Sequence, residues 1–144
     1  MRCALVLATV TAAFTAEVHA AAESLPVRKP GHWQITTIAP AFGTSTIEAC
    51  ITESDSIAAP ADGRDCAAPE VKHAGDQVIV NVVCKTKLGE ERTSTLYTGD
   101  FTTWYRGIMK MTFDLPTAGL ANMGVTLDAK FVGPECPATQ PAAK

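Results

Sequence analysis

Hydrophobic and polar residues alternate along most of the chain. In "MGVTLDAKFV", Met123, Val125, Leu127, Ala129 and Phe131 fall at every second position, with Thr126, Asp128 and Lys130 between them. A period of two sends successive side chains to opposite faces, so the pattern predicts a strand with one buried side. In "TWYRGIMKMTF", Tyr105, Gly107, Met109, Met111 and Phe113 take one side and Arg106, Lys110 and Thr112 the other. Both segments read as half-buried antiparallel strands. "RTSTLYT" is rich in β-branched and aromatic residues, and Gly99-Asp100 supplies the turn that follows it. "HWQITTI" and "TSTIEAC" form an earlier pair joined through Pro40 and Gly43, for about seven strands in all.

The pattern breaks in three places. "TESDSIAAP" sets Thr52 three residues before Asp55, a weak capping box, and Pro60 closes the run, so one short helix is expected there. A surface loop is expected from Ala58 to Arg64, and "DLPTAGLAN" reads as a loop between the last two strands. Residues 136–144 read as a flexible tail. The expected architecture is all-β: one domain spanning residues 21–144, a curved antiparallel sheet able to curl toward a barrel, with the helix over part of its concave face.

The amino terminus changes the compartment. "MRCALVLATVTAAFTAEVHA" carries basic Arg2, an apolar run from Cys3 to Ala13, and Val18 and Ala20 before the cut. That is the layout of a secretory signal peptide over residues 1–20, cleaved near Ala20, and the run is too short to span a bilayer. The protein is therefore expected in the periplasm or secreted. Removing the segment leaves Cys50, Cys66, Cys84 and Cys136, an even count that in an exported chain suggests two disulfides. The closest pair is sixteen positions apart, unlike the close pairs of a zinc site.

The hairpin "CAAPEVKHAGDQVIVNVVCK" suggests which cysteines pair. With Ala74-Gly75-Asp76 as a three-residue loop, His73 faces Gln77 and Cys66 lies directly opposite Cys84. A two-residue Gly75-Asp76 loop slips the register by one and turns the sulfurs to different faces. The longer loop with a Cys66–Cys84 bond is thus expected, leaving Cys50 for Cys136. Pro69 has no N–H for a ladder, which marks this strand as an edge.

Composition narrows the partners. A net charge of −3, unchanged by removal of residues 1–20, and scattered basic residues argue against nucleic acid. No second apolar run is long enough to cross a membrane. His32 and His73 lie in no triad, HExxH or metal pair, and Glu90-Glu91, Asp62 and Asp65 read as solvated turn or loop carboxylates. Met109 and Met111 could serve Cu(I) as soft ligands, but their face, shared with Tyr105 and Phe113, favours a core role. Trp104 falls on the polar side with Arg106 and Lys110 and is the leading candidate for recognition. Trp33 is a second aromatic candidate, though it shares its face with Ile35.

Several segments together resemble a family of small exported proteobacterial proteins classed only as a domain of unknown function, number thirty-six seventeen. They are "KPGHWQITT", "ACITESD", "DCAAPEVKHAGDQVIVNVVC", "YTGDFTTWYRGIMKMTF" and "FVGPEC". The resemblance implies export and the cysteine frame, and brings no established activity, substrate or catalytic residue. Family members often carry Glu after the Trp and a Met-rich loop after the first strand. Here these are Gln34 and "APAFGT", which weakens any methionine-based copper binding by that loop.

The expected role is a non-enzymatic binding or interaction module with no cofactor, its partner an envelope protein or a small apolar ligand. The alternative is a carrier holding such a ligand inside a curved or closed sheet. Behind these stand a hydrolytic enzyme and a copper-handling protein.

Overall fold

A computed structural model describes residues 23–59, 64–117 and 119–137. The expected signal segment and residues 138–144 of the expected tail lie outside these. Eight strands form one antiparallel sheet: β1 (Gly31–Ala39), β2 (Gly43–Ile51), β3 (Asp65–Cys66), β4 (Glu70–Ala74), β5 (Gln77–Thr86), β6 (Gly89–Gly99), β7 (Trp104–Thr117) and β8 (Leu120–Gly133). Their order across the sheet is β2-β1-β8-β7-β6-β5-β3, with β4 also on β5. The two outer edges do not bond to each other, so the sheet stays open.

One face carries the core, and facing positions alternate large and small. Trp33 lies across from Ala49 on β2, Tyr105 across from Ala129 on β8, and Tyr97 across from Gly107 on β7. Gly107 leaves room for that ring, since a Cβ on it would stand 3.0 Å from the Tyr97 ring and force it to shift by a few tenths of an ångström. The resulting aromatic cluster is tight: Trp33 sits 5.4 Å from both Tyr105 and Phe131, and Phe101 stacks on Tyr105 at 5.7 Å. Each such buried side chain contributes about 1.5–3 kcal/mol, with a further ~0.5–1.5 kcal/mol per well-oriented ring pair.

Irregular chain covers this end of the face. Leu25, Ile57, Ala58 and Phe101 pack on the cluster. The Trp33 indole donates to the Lys29 carbonyl at 2.8 Å, and Arg28 reaches the Tyr105 hydroxyl at 3.4 Å and the Asp55 carbonyl at 3.2 Å. The polar tips of buried aromatics are thereby satisfied.

Four expectations need correction. Among the described residues the roughly seven strands expected become eight, because the cysteine-bearing edge splits into β3 and β4. No helix forms among the described residues: Asp55 accepts from the Thr52 N–H at 2.6 Å and its hydroxyl at 2.8 Å, but only turns follow. So short a run, rich in Ser and Asp that compete for backbone groups, cannot carry the cost of helix nucleation. "DLPTAGLAN" is no loop either, for β7 and β8 run through most of it and meet again at Thr117 and Leu120.

The fourth correction concerns the hairpin turn. Ala74 pairs with Gln77, so the turn is the two-residue Gly75-Asp76, with Gly75 at φ 65°. Cys66 nevertheless pairs with Cys84, because the register slips by one residue between β4 and β3. Pro69 lies within the slip, where a missing N–H interrupts the ladder at no cost. The disulfides are Cys66–Cys84 and Cys50–Cys136, the latter reaching from β2 past β1 to the chain beyond β8.

Candidate functional site

The inner face is filled at its aromatic end and open at the other. There, β5 contributes Val80 and Val82, β6 contributes Glu91, Thr93 and Thr95, and β7 contributes Met109 and Met111, around a cavity of about 120 Å³. Ile57 and Ala58 form the lip on the covered side, and the Cys66–Cys84 bond touches the cavity through Cys84. Met109 and Met111 are half-buried, so their side chains face the hollow and not a closed core. Met123 on β8 faces Met111 directly. Three flexible thioethers thus share one patch of pliant apolar surface.

An ion pair stands in this cavity. Glu91 is 8% exposed, and its carboxylate accepts from Arg64 at 2.7 Å. A carboxylate so placed needs a cationic partner, since an unpaired buried charge is costly. The expectation that Glu90-Glu91 is a solvated pair therefore holds only for Glu90, which pairs with Arg92 on the surface. The strand pattern could have shown this, because Glu91 occupies an inward position in phase with Thr93, Thr95 and Tyr97. Beside it, burial pushes the Tyr97 hydroxyl above its usual pKa, and the neighbouring Tyr105 phenol adds to the shift.

The outer face, opposite the core, holds the other candidates. Trp104 is 49% exposed and lines a shallow groove of about 470 Å³ with Gln34, Thr36, Asp128 and Lys130. Arg106 binds Asp128 at 2.6 Å, which raises the guanidinium pKa. Lys110 lines a separate hollow beside Ser94 and Thr112, so the structure does not bring Trp104 and Lys110 into one site. Trp33 is fully buried in the aromatic cluster and offers no exposed surface.

The described histidines and remaining loop carboxylates lie away from the cavity. His32 lies 2.7 Å from Glu48, within ion-pair range though outside hydrogen-bond angles. His73 meets the Ser24 carbonyl at 3.0 Å at the far edge of the sheet. Asp65 sits on β3, and Asp62 lies outside the described residues. Among the described residues, no group of three or more His, Cys, Asp or Glu is placed to hold a metal ion, and no helix is long and apolar enough to cross a membrane.

No curated protein and no solved structure matches the chain. Residues 28–136 match the family described as Protein of unknown function (DUF3617). The match spans β1 to Cys136, including both disulfides and every strand that lines the inner face. On that coverage, the chain belongs to the DUF3617 family.

Proposed function

We propose that the protein is an exported, non-enzymatic binding module whose concave face receives one apolar group of a partner. The observation that carries this reading is the half-lined hollow around Met109 and Met111, apolar along its floor and flanked by the Arg64–Glu91 pair. Its size decides between module and carrier. Sites for drug-sized ligands measure about 300–1,000 Å³, whereas a benzene-sized guest needs about 150 Å³. A hollow of about 120 Å³, open on one side, is smaller than either and suits a small side chain or the inserted part of a ring, not an enclosed lipid-like cargo. Export is supported by the basic, apolar and small-residue order of residues 1–20.

Titration with indole, followed through the methionine methyl signals by NMR, tests the socket. Saturable shifts of Met109 and Met111 are expected, weakened in Thr93→Lys. Shifts confined to the Trp104 indole, or none at all, would remove the concave face from consideration. Native mass spectrometry of protein recovered from its own host then separates the two roles. A retained small molecule would favour the carrier, and a bound protein the interaction module.

A further inference from the structure

The two edges of the sheet are built differently. The β3/β4 edge is guarded in every way an edge strand can be. Its strands are two and five residues long, their register slips by one, and Pro69 lies between them. Lys72 and Glu70 form an ion pair at 2.9 Å along it, and the chain before β1 covers it, with the His73 N–H donating to Glu23. Short strands, proline, charge and cover are the devices that stop a sheet from pairing with another chain.

Among the described residues the β2 edge has one charge and no other of these devices. It runs nine residues, "GTSTIEACI", paired to β1 without a register break and without proline or lysine, and Glu48 is its one charge. Residues 43–47 are exposed, and Ile47, on the inner face, is 56% accessible. A strand of this length presents alternate unpaired N–H and C=O groups along its whole outer side.

We propose that β2 pairs antiparallel with β2 of a second copy of this chain, joining two sheets edge to edge in a twofold dimer. Symmetry selects this occupant. Pairing β2 with the other edge of a neighbour would be head-to-tail and would propagate, and the guarded β3/β4 edge prevents it. Pairing β2 with itself is self-complementary and closes at two copies. A register centred on Thr46 sets Glu48 opposite Thr44 of the second copy, so the strand's only charge meets no like charge. The same register sets Ile47 opposite Ser45 and brings the two exposed Ile47 side chains within diagonal reach. The surface is separate from the concave cavity and remains usable with that cavity occupied.

Sedimentation equilibrium of the purified protein, with hydrogen exchange across a dilution series, tests the dimer. A reversible dimer is expected, with amides of residues 44–50 losing protection as the protein is diluted. Thr46→Lys places two cations opposite each other and should weaken association at least about tenfold. Thr112→Lys, on the convex face away from the edge, should leave it unchanged. Thermal melts of both variants show that the fold survives, as both positions are exposed. A protein that stays monomeric to several hundred micromolar overturns the proposal. So does a dimer whose protection maps to the concave face, or one that Thr46→Lys does not weaken.

Discussion

Met109 shows how one residue's position decides between competing roles. Its alternation with Tyr105 and Phe113 predicts an inward side chain, and it is inward, but it lines a hollow instead of filling a closed core. Replacement by Ala removes half-buried apolar volume, so the loss should fall near the low end of core truncations, at about 2 kcal/mol. Lys110, its neighbour on the convex side, is exposed, and Lys110→Ala should cost within about 0.5 kcal/mol. Urea midpoints of the two variants, read beside a Cu(I) titration of the parent, separate packing from metal binding. A Met109→Ala protein as stable as the parent that has lost stoichiometric copper would make the three methionines a metal site. Glu91 teaches the complementary lesson: a carboxylate in an inward phase of a strand forecasts a cation above it, here Arg64.

At the scale of elements, the β6–β7 connection is held by one side chain. Asp100 accepts from the N–H groups of Thr102 at 2.7 Å, Thr103 at 2.6 Å and Trp104 at 3.2 Å, and from the Thr103 hydroxyl. These bonds, the Thr103 hydroxyl foremost, hold its carboxyl far below the ordinary 3.8. They also secure Phe101 at φ 58°, the one described non-glycine residue with positive φ, whose ring stacks on Tyr105. Because the native pKa is the lower one, the stabilisation is present above the ordinary carboxylate value and is lost as pH falls below it. Asp100→Ala should therefore lower the urea midpoint at pH 7, with the gap to the parent narrowing below about pH 4. A gap independent of pH would show that the carboxylate charge is not what holds the turn.

The same scale shows what was legible in the sequence. Period-two alternation gave the long strands, including β7 and β8. It did not give their meeting at Thr117 and Leu120, since "DLPTAGLAN" carries Pro, Gly and Asn signals, and the ladder does break between Thr112 and Thr117, around Pro116, before it resumes. The two-residue Gly75-Asp76 turn is not legible from the cysteine spacing, because the ladder does not keep one register from turn to cysteine. Pro69 marks the edge and also permits the slip that brings Cys66 to Cys84. The Trp104 groove was partly legible from its polar-side phase. The Arg64 partner of Glu91 was not, because nothing in strand periodicity says what a loop places above the sheet.

For the whole molecule, the two disulfides do unequal work on an open sheet. Cys66–Cys84 joins strands already paired through a short hairpin, at a sequence separation of 18. Cys50–Cys136 has a separation of 86 and ties the β2 edge to the chain beyond β8, so most of the domain lies within its loop. In the chain-entropy account the short bridge contributes roughly 3 kcal/mol and the long one somewhat under about 5 kcal/mol. The long bridge also anchors the end of β2 where Ala49 and Ile51 enter the core, while residues 43–47 of that strand stand exposed. Paired Cys-to-Ser replacement of each bridge, compared by thermal unfolding, should therefore cost more at Cys50/Cys136. Hydrogen exchange in that variant should rise first in β2 and β1, leaving β5 to β7 protected. Equal losses from the two replacements, or exchange that rises uniformly across the sheet, would show that the long bridge does not selectively hold the β2 side.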